Sequence, residues 1–434
     1  MKIKIYIKTF GCKVNQYDSQ LIKENLMNDR YIEIVKDYRD ANLIIINCCF
    51  VTKTAEDEVI KTIKRLKNYA PVLVTGCYIE NIKFDNVLYI PISEKIKIKE
   101  TIYKIFEIKD NFLKEINKIS FFEGRTRAFL KIQEGCNKFC SYCIVPYLRG
   151  RARSKEIEII KEEFLNLINS GYKEIVLTGT EIGFYGLDIN SNLLELLKDL
   201  TKFPEDFRIR LSSIDPEFLN DDLIEFISNN EKICPHLHLP LQSGSDKILN
   251  LMRRGYSKNQ YLDLINKLKE KIKNITFTTD IIVGFPNEDE RDFNETLDVI
   301  EKVKFLKCHI FPFSERKGTY ASKYFKDKKV EEMLIEERLK IIKDFAKDYS
   351  KKVIENFINK ELIFLGETKK ENKIFGFTDN YIRTFIEGNY EKNKFYKIYL
   401  QNSKNLVEYG IVISEFYYGV PIKKEVRICN ASSL

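Results

Sequence analysis

The sequence predicts an α/β protein in three parts. A parallel α/β sheet domain is expected over residues 1–105, a partial (β/α)6 barrel over 124–360 and a small antiparallel β-barrel over 361–434, with a charged linker at 106–123. Three observations carry this reading. Short apolar runs alternate with helical patterns through the first hundred residues, the alternation restarts at Arg127 for six rounds, and from about Glu361 the texture changes to short aromatic-rich runs broken by Gly, Asn and Asp. A length of 434 residues exceeds one ordinary domain, and 44% hydrophobic residues supply packed cores and exclude general disorder.

In the first part, strands are expected at 3–7, 43–46, 72–74 and 87–92, with helices around 19–27, 54–68 and 94–105. Short apolar strands separated by helices belong to a parallel sheet covered on both faces. In the second, strands are expected at 128–133, 174–178, 208–212, 236–241, 276–283 and 306–312, with helices such as 157–169, 217–229, 257–272 and 290–303 between them. Six such units are too many for a small open sheet and too few for a closed eight-fold barrel. A long charged helix at 330–359 leads into the third part, whose short strands suit a small barrel.

Charge and targeting narrow the function. The balance of 72 basic against 64 acidic residues gives +8, compatible with a nucleic-acid partner, although Lys, Ile and Asn are abundant throughout. Of 17 Arg, five (Arg125, Arg127, Arg149, Arg151, Arg153) fall within 29 residues, where even spacing gives about one. In a Lys-rich chain such a cluster points to the planar, forked geometry that grips phosphate or carboxylate, against the plainer reading of a solvated basic loop. No stretch reaches the ~18 apolar residues of a membrane span, and the start, MKIKIYIKTFGC, has no apolar signal core. A cytoplasmic protein with no membrane partner is expected.

Ten cysteines without a signal peptide indicate metal or catalysis rather than disulfides. Three stand in one loop as Cys136-Asn-Lys-Phe-Cys140-Ser-Tyr-Cys143. Three thiolates can hold three irons of a 4Fe-4S cube and leave the fourth open, whereas a structural zinc or an electron carrier wants a fourth ligand. Cys12, Cys49 and Cys77 each follow a different predicted strand. In an open parallel sheet the carboxyl ends of the strands share one edge, so these three converge on a second trio with an open position. Cys234 and Cys308 lie in other strands and read as small packed hydrophobes, and Cys429 falls in the terminal barrel. His236 and His238 alternate along one strand face, compatible with a pocket wall or with core hydrogen bonds.

The 136–143 triplet resembles the signature of the radical S-adenosylmethionine (SAM) superfamily. The two trios together resemble the methylthiotransferase family over nearly the whole chain. The matching segments are Thr9-Phe10-Gly11-Cys12-Lys13-Val14-Asn15-Gln16-Tyr17, Ile46-Asn47-Cys48-Cys49-Phe50-Val51-Thr52, Val74-Thr75-Gly76-Cys77-Tyr78, Gly135 to Gly150, Arg208 to Ser213, and His236 to Gly244. The resemblance implies two 4Fe-4S clusters, held by Cys12, Cys49 and Cys77 and by Cys136, Cys140 and Cys143. It further implies SAM binding by Tyr142, Thr178, Gly179, Thr180, Ser212, Gln242, Asp280 and Gly284. The carboxyl-terminal segment, including Gly376-Phe377-Thr378-Asp379-Asn380-Tyr381, is similar to the small RNA-binding (TRAM) barrel that closes such chains. Its removal from about Glu361 is expected to weaken tRNA binding and leave SAM cleavage.

The implied reaction adds a methylthio group to a C–H carbon. One SAM methylates sulfur at the first cluster, and a second is cleaved at the barrel cluster to a 5′-deoxyadenosyl radical that abstracts the substrate hydrogen. A low-potential electron donor and a sulfur donor are implied as partners. Cys12-Lys13-Val14-Asn15-Gln16 and Arg149-Gly150-Arg151-Ala152-Arg153-Ser154 look most like the branch acting on N6-threonylcarbamoyladenosine of tRNA. That group carries a carboxylate, so Arg149, Arg151 and Arg153 are the substrate-binding candidates. The alternatives are the isopentenyladenosine branch, the branch modifying a ribosomal-protein aspartate and, in another class, a non-catalytic Fe-S RNA-binding protein. The chain departs from the family pattern at Cys48, where Thr is expected. Cys49 is therefore expected as the ligand and Cys48 as a Thr surrogate, unless the strand end bends.

Overall fold

The structure is a computed structural model that describes residues 2–77, 84–109, 116–401, 407–408, 411–412, 417–422 and 428. Tyr78 and Cys429 of the segments named above, and Tyr409 and Phe416 among the aromatics of the third part, lie outside the described residues.

The first part runs β1 (Ile3–Thr9), α1 (Lys13–Met27), β2 (Ile32–Ile34), β3 (Leu43–Cys49), α2 (Lys53–Leu66), β4 (Val72–Cys77), β5 (Val87–Tyr89) and α3 (Ile98–Ile105). The strands form one sheet in the order β2-β1-β3-β4-β5, and every pair is parallel. The strand order reverses between β1 and β3, the position where open α/β sheets place their ligands. Every residue of β3 and β4 is buried, which is why they read as unbroken apolar runs. β2 escaped the sequence reading because three residues carry no periodicity. β5 stops at Tyr89, and a 3-10 turn at Ile92–Lys97 replaces the expected strand end and helix start.

The second part comprises β6 (Arg127–Lys131), β7 (Gln133–Glu134), α4 (Val145–Arg149), β8 (Arg153–Ser154), α5 (Ile157–Asn169), β9 (Glu174–Thr178), α6 (Leu193–Thr201), β10 (Arg208–Leu211), α7 (Asp221–Ser228), β11 (His236–His238), α8 (Asp246–Met252), α9 (Lys258–Lys271), β12 (Thr276–Val283), α10 (Glu290–Val303), β13 (Lys307–Pro312), α11 (Tyr320–Tyr324) and α12 (Glu332–Glu355). The parallel order is β6-β9-β10 and β11-β12-β13, joined by bridges Ile209 to Ile233 and Ser213 to His238. This is a six-stranded partial barrel, open between β6 and β13. Side-chain caps start its helices at Asn192, Asn220, Ser245, Ser257 and Asp289, the last two as full capping boxes.

The first part spans the open side. Tyr17 and Leu21 of α1 belong to the barrel core, and α1 packs on β6. At the other edge Arg316, past β13, donates to the Phe50 carbonyl (3.3 Å) and pairs with Glu56 (2.7 Å). Residues 116–122, in the expected linker, are strapped to this joint. Ile119 and Phe122 are buried, and Glu24 accepts from the Ser120 amide and hydroxyl.

The third part is β14 (Glu361–Lys370), β15 (Lys373–Thr378), β16 (Arg383–Glu387), β17 (Phe395–Gln401), β18 (Val407–Glu408), β19 (Ile411–Val412) and β20 (Tyr417–Pro421). β14, β15, β16, β20 and β17 close into the expected barrel, antiparallel except for the parallel pair of β16 with β20, and β18 and β19 pair apart from it. Its turn after β15 docks at the amino ends of the large-barrel strands. Arg208 donates to the Ile363 and Phe377 carbonyls (2.9 and 3.2 Å), and Arg210 to those of Asp379 and Thr378 (3.0 and 3.3 Å). Tyr381 packs on His236 with ring centroids 4.5 Å apart. This corrects the expectation of a segment removable at Glu361, because deletion would strip these partners from two buried arginines.

Glu174 anchors that junction, accepting from Arg208 Nε at 2.6 Å and Arg210 Nε at 2.7 Å. Burial opposes its charge, but Arg210, Arg208 and Arg127 hold the carboxyl well below the usual range. Glu174→Gln leaves buried guanidinium charge unmatched, with an expected loss of about 3–5 kcal/mol of stability. A carboxyl depressed in the folded state contributes fully above its unfolded pKa of about 4.3 and loses that contribution as pH falls further. The gap in melting temperature between wild type and variant should therefore be full at pH 7 and shrink below pH ~4. A constant gap across that range would contradict the assignment.

Candidate metal centres and their surroundings

The first trio is assembled by the sheet. Cys49 and Cys77 are direct partners at the ends of β3 and β4, and Cys12 is the exposed N-cap of α1 beside them. Gly11 brings the chain onto Cys49. At φ +89°, a β-carbon there would stand 2.5 Å from Cys49 Cβ and 2.8 Å from its Sγ, so only glycine permits this approach. Asn15 locks the geometry by donating to the carbonyls of Phe10 (2.9 Å) and Cys48 (2.8 Å). Cys48 turns the other way, with its Sγ 3.0 Å from the Thr75 carbonyl.

Arg149 reaches the same trio. Its Nε donates to Cys77 Sγ at 3.0 Å, and Nη1 donates to Glu134 (2.7 Å) and Asp18 (3.4 Å) while Nη2 donates to Asn15. Asp18 also pairs with Lys95 (2.8 Å) and Lys131. The Arg149 side chain is 3% exposed. The expectation that Arg149 reads substrate at an accessible rim is therefore corrected, since its donors are spent inside the protein. Arg151 and Arg153 are exposed, and Arg151 lies 4.5 Å over the Phe139 ring within the 136–143 loop.

The second trio sits on the loop after β7. Gly135 (φ +80°) passes so close to Arg151 that a β-carbon would stand 2.0 Å from its carbonyl oxygen. The Cys136 amide donates to Gly150 (3.1 Å), and Ser141 is pinned through its amide to Met252 (3.0 Å) and its hydroxyl to Leu251 (2.7 Å). Two donors face the thiols: the Lys138 amide toward Cys136 Sγ (3.5 Å) and Arg254 Nη1 toward Cys140 Sγ (3.4 Å). Burial pushes the thiols of Cys49 and Cys143 up to about 12 and that of Cys136 to about 11. Among the described residues no three His, Cys, Asp or Glu side chains gather at the spacing of one metal ion. Each trio offers sulfur alone, the donor set that suits an iron–sulfur cluster rather than a hard cation.

The SAM-binding candidates divide. Tyr142 meets Phe285, next to Gly284, edge-on at 6.5 Å between ring centroids. Thr180 accepts from the Gly135 amide (3.1 Å), and Gly179 lies against Gln133, where a β-carbon would stand 2.8 Å from Oε1. Gly179 and Thr180 therefore stand beside the second trio, while Thr178 ends β9 with its carbonyl accepting from the Ile132 amide (2.9 Å). Ser212 ends buried, its hydroxyl without a partner among the described residues. Gln242 takes φ +66° and donates its amide to the Asp280 carbonyl (2.8 Å). The Asp280 side chain faces elsewhere, toward His238 Nε2 at 3.3 Å. Burial opposes the Asp280 charge, but His238 holds the carboxyl below its ordinary value. Glu181, Asp215 and Arg254 were missed. Arg254 pairs with Asp215, and Glu181, accepting from the Asp215 amide (3.0 Å), is pushed by burial up to about 7. The Arg253-Arg254 pair in a chain so poor in Arg was the available signal.

Comparison with known proteins agrees with this layout. Residues 130–300 match the radical SAM superfamily and residues 4–91 match an uncharacterized protein family, UPF0004. A threonylcarbamoyladenosine tRNA methylthiotransferase (MtaB) of Thermotoga maritima is 38% identical over 425 residues, covering 94% of this chain and 96% of its own. A tRNA-2-methylthio-N(6)-dimethylallyladenosine synthase of Acetivibrio thermocellus is 38% identical over 403 residues, covering 86% and 83%. Among solved structures, the radical SAM methyltransferase TsrM of Kitasatospora setae superposes with a TM-score of 0.54 at 14% identity, covering 74% of this chain and 77% of its own. That likeness concerns the fold alone.

Proposed function

We propose that this chain, which belongs to the radical SAM methylthiotransferase family, acts on tRNA and adds a methylthio group to C2 of N6-threonylcarbamoyladenosine at position 37, next to the anticodon. The observation that carries the substrate is the agreement over 94% of the chain with a relative named for that nucleoside. The exposed Arg151 and Arg153 beside the 136–143 loop support it, because guanidinium forks suit both a carboxylate and tRNA phosphates.

When bound, SAM and a 4Fe-4S cluster at Cys136, Cys140 and Cys143 supply radical chemistry, and a second cluster at Cys12, Cys49 and Cys77 supplies the site for sulfur. The rest is the chain's own work. Ser141 and its partners hold the 136–143 loop to α8, so the three thiols are presented from a fixed backbone. Tyr142 meets Phe285 edge-on and lines the loop on the side of Gly284. Gly179 and Thr180 pack against Gln133 and Gly135, just ahead of Cys136. Arg254 places a fixed positive charge against the Cys140 sulfur, with Nη1 at 3.4 Å. A low-potential electron donor and a sulfur donor complete the scheme.

Mass spectrometry of tRNA nucleosides tests the substrate. Cells lacking the protein should lose the 2-methylthio form of threonylcarbamoyladenosine and keep the unmodified precursor. The relative named for dimethylallyladenosine, at comparable identity, supports a second reading. Loss of the methylthio group from isopentenyladenosine instead would establish that one.

A further inference from the structure

Arg149 is the last residue of α4, the helix that follows Cys143, and α4 lies against β4, whose end is Cys77. One side chain thus runs from the segment of the second trio to a thiol of the first. All three nitrogens of its fork are engaged: Nε on Cys77 Sγ at 3.0 Å, Nη1 on Glu134 and Asp18, Nη2 on Asn15. Asn15 in turn holds the backbone of Phe10 and Cys48 on either side of the trio.

The charges around it do not balance by themselves. Arg149, Lys95 and Lys131 face Asp18 and Glu134, three cations against two anions in a largely buried cluster. Burying an unmatched charge is costly, and the group within reach of the surplus is the sulfur of Cys77. Hydrogen bonds to ligand sulfurs stabilise the more electron-rich state of an iron–sulfur cluster, and such outer contacts set its potential.

We propose that Arg149 is the positioning residue of the first cysteine site, where its Nε–H hydrogen-bonds the Cys77 sulfur and raises the reduction potential of the cluster held there. The inference rests on the two-cluster reading above. It gives Arg149 a role that an accessible substrate contact would not have. It also makes the potential of the first cluster depend on the segment that carries the second.

The test uses full-length protein reconstituted anaerobically in two backgrounds. One carries Cys136→Ala, Cys140→Ala and Cys143→Ala, leaving only the first site; the other carries Cys12→Ala, Cys49→Ala and Cys77→Ala. Into each go Arg149→Lys, which keeps the charge and loses the Nε donor, and Arg149→Met with Glu134→Gln, which preserves the cluster's net charge if the single variant folds poorly. Potentiometric titration followed by electron paramagnetic resonance should show the first cluster's midpoint shifted to more negative values with iron content retained. The second cluster's midpoint should not move. An unshifted first cluster with full iron, or equal shifts in both backgrounds, would overturn the role given to Arg149. No iron in the first background with Arg149 intact would instead overturn the two-cluster reading, and this inference with it.

Discussion

Replacing Cys136, Cys140 and Cys143 together with alanine should reduce 5′-deoxyadenosine formation to the background of free SAM. Iron bound at Cys12, Cys49 and Cys77 should remain. The expectation follows from the economy of the loop. Its three thiols are the cysteines it contains, and among the described residues the others near the barrel, Cys234 and Cys308, lie within or beside strands and are not on that loop. The fold should survive, because the loop is held by Ser141, whose amide and hydroxyl bond Met252 and Leu251 and whose carbonyl accepts from Ala321 at 2.7 Å. A circular dichroism melt near that of wild type separates lost chemistry from lost structure. The same protein should still release S-adenosylhomocysteine if the first site methylates sulfur independently. Persistent deoxyadenosine in the triple variant would sink the assignment of the barrel site.

What was legible in the sequence was whatever repeats locally. β3 and the strands of the barrel announced themselves because each is a short run set between helical patterns, and the cysteine spacing at 136–143 is a property of one loop. The convergence of Cys12, Cys49 and Cys77 was legible one step further, because parallel strands share an edge whatever their distance in sequence. Burial of charge was not legible. Arg149 looked like part of a basic rim because its neighbours Arg151 and Arg153 are exposed, yet its partners come from three other segments: Asn15 and Asp18 of α1, Cys77 of β4 and Glu134 of β7. The same applies to Arg208 and Arg210, whose carbonyl acceptors lie more than 150 residues away in the small barrel. Buried ion pairs are made by tertiary structure, and no periodicity marks them. The strap at 116–122 reads as linker for a related reason: the charges of the wider 106–123 stretch suggest solvent exposure, while buried Ile119 and Phe122 within it decide its place.

The adjacent cysteines give the second large effect. Neighbouring side chains in a strand point to opposite sides, and β3 continues as strand through Cys49, paired residue by residue with β4 at Cys48 to Gly76 and Cys49 to Cys77. The alternative of a bent strand end finds no support in that register. Cys48 is fully buried and its Sγ lies 3.0 Å from the Thr75 carbonyl and 3.6 Å from that of Cys77, positions a threonine hydroxyl could serve as donor. Cys49 lies against Gly11 on the side of Cys12. Cys48→Thr should therefore keep iron at the first site and methylthiolation near wild type, with a stability change of about 1 kcal/mol or less, the worth of one buried hydrogen bond. Cys49→Ala should lose iron from the first site and all methylthiolated product, while deoxyadenosine formation at the barrel continues. Iron analysis in the background lacking the barrel cysteines, with nucleoside analysis in the full protein, reads both. Full methylthiolation in Cys49→Ala together with its loss in Cys48→Thr would reverse the two roles.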